Sequence, residues 1–129
     1  IYVINKIVDS LNNIGKSLKD SKILVLGISY KKNVDDMRES PSIEIINSLL
    51  NKGALVDYSD PFFPVFPKIR KYKIDLKSII LNAENISFYD VVLIATDHDD
   101  FDYKLLLDNA NIIVDSRGRF LSSKSVIRG

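Results

Sequence analysis

The sequence predicts an α/β domain built on a doubly wound parallel sheet with helices on both faces, preceded by an N-terminal connecting helix. Three observations carry that expectation. The apolar runs at residues 23–26 and 91–95 are unbroken rather than alternating, as in strands buried on both faces. Between the runs lie stretches with apolar residues at helical spacing. Turn and cap residues (Ser40-Pro41, Gly53, Asp60-Pro61) fall at the joints.

Each element has its own reason. Ile4, Ile7, Val8, Leu11, Ile14 and Leu18 recur at helical spacing, which predicts a helix over residues 3–18. Residues 22–26 read as a buried strand. Ser40 is placed to cap a second helix with Pro41 in its first turn, where a missing N–H costs nothing. Ile43, Ile45, Ile46, Leu49 and Leu50 form its packing face and Gly53 its stop. Residues 54–58 form a second strand, ended by Asp60-Pro61. Three prolines in 61–67 exclude regular structure there. A helix is expected at 75–83, a strand at 90–96, a short helix at 103–109 and a strand at 112–115. The four strands are expected parallel, with Gly27, Thr96 and Ser116 at one edge.

Bulk composition excludes several function classes. The 129 residues suffice for one domain, and 46% hydrophobic with 27% charged residues is a globular balance. A net charge of +1 gives no general field for nucleic acid or an acidic membrane, so any anion site must be local. No apolar stretch approaches the roughly 18–20 residues of a membrane span. With no cysteine, the chain has no disulfide, thiolate metal site or cysteine nucleophile. Its first residue is Ile and no leader pattern follows, as expected of a piece of a longer protein, although a processed terminus would look the same.

Ligands of an open parallel sheet bind beyond the carboxyl ends of the strands. That rule selects residues 27–39, the Asp60-Pro61 turn, 96–101 and 116–119. The first loop is long for a strand-to-helix connection. Lys31, Lys32 and Arg38 could neutralise phosphate there; equally, Asp35, Asp36 and Glu39 could pair them in a solvated loop. The loop lacks G-x-G-x-x-G, so it is not a dinucleotide cradle. Asp97-His98-Asp99-Asp100 has no spaced partner to complete a metal site, and His98 reads as a structural or substrate-orienting donor rather than a general base. Arg117 could clamp an anion or a base edge, or be an ordinary surface charge. Phe62, Phe63 and Phe66 read as a packing plug more than as a stacking platform.

Three stretches in order, "KILVLGISYKKNVDDMRESPSIEIINSLLNKGALVDYSDPFFP", "VVLIATDHDDFD" and "IIVDSRGRF", resemble the C-terminal domain of the UDP-glucose/GDP-mannose dehydrogenase family. The wording is most like the branch acting on UDP-N-acetylhexosamines. The resemblance implies a Rossmann-like UDP-sugar-binding domain over residues 21–129, with residues 1–20 as a connecting helix from a central domain. It implies a cytoplasmic NAD-dependent enzyme, homodimeric when full-length, that oxidises the sugar C6 alcohol to a carboxylate. NAD would sit mainly in an N-terminal domain, and the catalytic cysteine would lie outside this chain. The family's aromatic-Lys pair on the UDP-sugar falls on Tyr30 and Lys31, its further nucleotide-sugar arginine on Arg117, and its NAD-reaching arginine on Arg38. No metal, nucleic acid or membrane partner is implied. The sugar stays open among N-acetylglucosamine, N-acetylmannosamine and glucose, and the base between UDP and GDP. A receiver-type regulatory module is the alternative, although its acidic pair would follow the first strand at once.

Overall fold

A computed structural model of the chain describes residues 2–29, 40–68 and 72–117, and the backbone of 126–128. In chain order the elements are α1 (Tyr2–Asn13), β1 (Lys22–Leu26), α2 (Pro41–Asn51), β2 (Leu55–Ser59), α3 (Ala83–Phe88), β3 (Val91–Ile94), α4 (Tyr103–Asn109), β4 (Ile113–Asp115) and β5 (Val126–Arg128). The five strands form one sheet in the order β2-β1-β3-β4-β5, and every neighbouring pair is parallel. The four expected strands are all present. The edge strand β5 was not foreseen.

Alternation along each strand divides the core in two. Ile23 and Val25 of β1, Val91 and Leu93 of β3 and Val114 of β4 face α1 and α2. Leu24 and Leu26, Val92 and Ile94, and Ile113 face α3 and α4. Helices therefore cover both faces, as an all-parallel sheet requires. Burying each such Val, Leu or Ile side chain contributes about 1.5–3 kcal/mol. α1 is part of this packing: Ile4, Ile7 and Leu11 are buried in the same core as α2, while Tyr2 and Ile14 remain exposed. A Lys16–Asp90 ion pair of 2.6 Å ties the segment after α1 to the start of β3.

Two expected elements differ from what forms. α1 stops at Asn13, short of residue 18. Gly15 takes φ +75°, and the N–H groups of Gly15 and Lys16 turn back to the carbonyls of Asn12 and Leu11. This is a glycine-closed helix end, and buried Leu18 extended the apolar pattern past it only by coincidence of spacing. The second difference is residues 75–83, where no helix forms until Ala83. The segment runs extended along the outer edge of β2, with Ser78 bridging Tyr58 and the Ile79 N–H donating to the Tyr58 carbonyl at 2.9 Å. Edge-strand backbone groups need partners, and this strap supplies them. Its apolar residues come in pairs two apart: Ile74 and Leu76 join one core, Ile79 and Leu81 the other.

Strand order reverses between β1 and β3, which makes the gap beyond their carboxyl ends the crevice of the fold. The two segments leaving these strands come together there without room for a side chain. Gly27 has φ +85°, and a Cβ on it would lie 2.4 Å from Thr96 Cβ and 2.5 Å from the Thr96 carbonyl oxygen. We predict that Gly27→Ala destabilises the fold by about 3 kcal/mol or more, since strain and a backbone clash add. Gly15→Ala, with open space around its Cβ site, should cost only ~1 kcal/mol. Urea denaturation of both variants checks the ranking, and equal losses would contradict it.

Candidate functional site

The carboxyl ends of β1, β2 and β3 are joined by buried polar groups. Asp60, just past β2, is 2% exposed, and Ser29, Thr96 and His98 are fully buried. Asp60 Oδ2 accepts from the Ile28 N–H at 2.7 Å and from Ser29 Oγ at 3.3 Å, and lies 3.0 Å from His98 Nε2. Asp60 Oδ1 accepts from the Phe62 N–H at 2.8 Å. His98 Nε2 also lies 3.2 Å from Ser29 Oγ, and the rings of Phe62 and Phe101 flank the imidazole at 4.9 and 5.5 Å between centroids. A carboxylate only accepts, so Nε2 carries a proton towards it.

These groups look like a Ser–His–Asp relay but cannot work as one. A relay uses opposite ring nitrogens for the carboxylate and the hydroxyl, whereas here one nitrogen serves both. Closure to solvent also denies a substrate access. His98 is a structural donor, not a general base.

The cluster fixes both flanks of the charged segment 30–39. The Ser29 carbonyl accepts from Thr96 Oγ1 at 2.8 Å and from Ser40 Oγ at 3.3 Å, so the residues before and after 30–39 are held together. The N–H groups of Ala95 and Thr96 both donate to the Leu26 carbonyl, at 2.9 and 3.0 Å. Tyr30, Lys31 and Arg38 lie outside the described residues.

Arg117 is described and stands just past β4. Its backbone N–H donates to Asp115 Oδ1 at 3.0 Å, and its Nε donates to the Ala95 carbonyl at 2.7 Å. The side chain therefore lies over the end of β3 towards the crevice. Its terminal nitrogens have no partner among the described residues, and the residue is solvent-exposed. A guanidinium held by its Nε offers the outer edge of its fork to an acceptor such as a phosphate or carbonyl.

The start of α2 does not offer a second anion site. Pro41 has no N–H, the Ser42 N–H donates to Ser40 Oγ at 3.3 Å, and the Ile43 N–H turns to the Ser40 carbonyl at 3.4 Å. Glu44 adds negative charge in the first turn. This arrangement does not fit a dinucleotide pyrophosphate, which needs open N–H groups at a helix start. The carboxyl end of β1 continues Gly27-Ile28-Ser29 and carries no acidic pair, unlike a receiver. Of the aromatic group, Phe66 is the buried member, edge-on to Tyr58 at 5.5 Å, while Phe62 is partly exposed against His98.

Sequence reasoning reached His98 and Arg117 but not the Ser29–Asp60–Thr96 connection. The available signal was position: each of the three stands within three residues of the carboxyl end of a strand.

Burial alone would raise the Asp60 carboxyl, but hydrogen bonds from His98 and from the Ile28 and Phe62 N–H groups outweigh it and hold it below the ordinary 3.8. Asp90 behaves likewise: burial raises it, and the Lys16 ammonium with the Lys22 N–H more than offsets that. A carboxyl depressed in the folded state stabilises fully above its unfolded value and loses that contribution as pH falls through the folded one. Stability should therefore drop on acidification below about pH 5. Asp60→Asn should be less stable at pH 7 and show a shallower acid slope. Urea unfolding between pH 3 and 7 measures this, and an unchanged slope would remove Asp60 from the account.

Comparison with known proteins accords with the resemblance. Residues 24–121 match the family described as UDP-glucose/GDP-mannose dehydrogenase family, UDP binding domain. A UDP-N-acetyl-D-mannosamine dehydrogenase of Methanococcus maripaludis is 37% identical over 100 residues, covering 78% of this chain and 21% of that protein. An NDP-N-acetyl-D-galactosaminuronic acid dehydrogenase of Ralstonia solanacearum is 30% identical over 122 residues, covering 92% and 27%. The structure of a UDP-glucose dehydrogenase from Pyrobaculum islandicum superposes with a TM-score of 0.68 at 26% identity, over 98% of this chain and 29% of that one. The chain thus spans about a fifth to a quarter of the length of these curated relatives. It belongs to the UDP-glucose/GDP-mannose dehydrogenase family, of which it carries the UDP binding domain.

Proposed function

We propose that the chain is the C-terminal, nucleotide-sugar-binding domain of an NAD-dependent UDP-sugar 6-dehydrogenase that oxidises the C6 alcohol of a UDP-N-acetylhexosamine to a carboxylate. The observation that carries this reading is Arg117, held by its Nε at the end of β3, beside the crevice of a domain matched to the UDP binding domain. Names of the relatives support the substrate class, since two of them act on N-acetylated sugar nucleotides. In this reading Tyr30, Lys31 and Arg117 contact the UDP-sugar: Lys31 as a mobile point charge, Arg117 as a rigid fork. Arg38 reaches NAD bound mainly by an N-terminal domain, in keeping with the closed start of α2. NAD, when bound, supplies the hydride acceptor. α1 leads from a central domain, and the full-length protein works as a cytoplasmic homodimer. Among the described residues no helix is long and apolar enough to cross a membrane.

In the full-length enzyme, Lys31→Ala and Arg117→Ala should each raise KM for the UDP-sugar about 10- to 100-fold, the loss of one contact to a charged ligand (~1.5–3 kcal/mol). The KM for NAD should change little, and Arg38→Ala should show the reverse pattern. Steady-state kinetics with each substrate varied in turn decides. An Arg117→Ala enzyme with an unaltered UDP-sugar KM would make that residue an ordinary surface charge. The chain alone, having no cysteine, should not reduce NAD with any UDP-sugar; NADH formation by it would overturn the assignment of roles.

A further inference from the structure

We infer that His98, Asp60 and Ser29 are positioning residues for nucleotide-sugar binding, acting through the backbone at residues 95–96 on the guanidinium of Arg117. The inference rests on the proposed function and adds to it a set of groups buried from solvent.

A continuous chain of contacts links the cluster to the crevice. His98 Nε2 lies against Asp60 and Ser29, at 3.0 and 3.2 Å. Ser29 in turn accepts Thr96 Oγ1 on its carbonyl at 2.8 Å. Thr96 adjoins Ala95, whose carbonyl takes Arg117 Nε at 2.7 Å. The close approach of Gly27 to Thr96 leaves no slack, since even a Cβ would collide. A shift of Ser29 must therefore move Thr96, and with it the acceptor that aims Arg117. His98 is itself held at its carbonyl by the Tyr103 hydroxyl at 2.6 Å.

Core stability alone does not call for these residues. Removing a carboxylate from water carries a desolvation penalty, and well-packed apolar groups in such places are often as stabilising. What a fully connected polar cluster supplies, and apolar packing does not, is direction: one geometry for the groups it bonds. Ser29 also immediately precedes Tyr30 and Lys31 in the sequence.

The test compares His98→Ala, His98→Gln and Ser29→Ala in the full-length enzyme, at a temperature where circular dichroism shows each folded. Gln can place an amide N–H where Nε2 stands; Ala cannot. We expect both Ala variants to raise KM for the UDP-sugar at least tenfold with kcat at saturation within about threefold of the parent. His98→Gln should recover most of the loss. In the chain alone, the NMR resonance of the Arg117 Nε–H group should move in both Ala variants and return in His98→Gln. If His98→Ala fails to fold, Ser29→Ala decides by itself. Folded Ala variants with unaltered KM and an unmoved Arg117 resonance would reduce the cluster to core packing, while parental UDP-sugar oxidation would leave the proposed function standing. A parent enzyme that oxidises no UDP-sugar would overturn that function and this inference with it.

Discussion

Asp60 brings a carboxylate into a region closed to water, and the carboxyl ends of three strands are organised around it. It stands past β2, accepts from the backbone past β1, and meets a histidine that follows β3. An unpaired charge in that position would be costly, so every group around it is constrained to supply a hydrogen bond. The ordinary consequence of that constraint is a rigid sheet edge. Beside it, the residues on either side of the charged segment 30–39, Ser29 and Ser40, are hydrogen-bonded to one another.

The two-faced core makes this edge possible. Crossovers through α3 and α4 cover one face and α2 covers half of the other, leaving a gap that α1 fills with Ile4, Ile7 and Leu11. With both faces sealed, strand ends can approach closely, as Gly27 and Thr96 do. The order reversal between β1 and β3 sets where the crevice lies, and Arg117 reaches from β4 to the end of β3 on one side of it. In the proposed function, a fold without a glycine-rich cradle meets its nucleotide through side chains on this edge rather than through open backbone N–H groups.

Much of this was legible in the residues, for identifiable reasons. Continuous apolar runs marked β1 and β3, and Ser40-Pro41 with Gly53 marked both ends of α2, because cap chemistry is local. What escaped was set by tertiary partners. The strap at 75–83 is extended because the β2 edge needs covering, although its paired apolar residues two apart were a readable sign. β5 comprises only Val126–Arg128, too short for a pattern. At the site, the separate residues stood out, but contacts joining positions 29, 60, 96 and 98 depend on strand order, which spacing does not encode. The role proposed for Arg117 rests on family likeness; its restraint by Ala95 is visible only in the fold.

The central claim is that the nucleotide lies across the carboxyl edge of β1, β3 and β4. Titrating UDP at millimolar concentration into the uniformly ¹⁵N-labelled chain and following the amide spectrum tests it most directly. The account predicts that the largest saturable shifts fall on residues 27–29, 95–97 and 116–117, with the Arg117 Nε–H signal among them. Shifts concentrated in the groove between α1 and α2 around Tyr2, Glu44 and Ser48, with the strand-end amides unmoved, would contradict it.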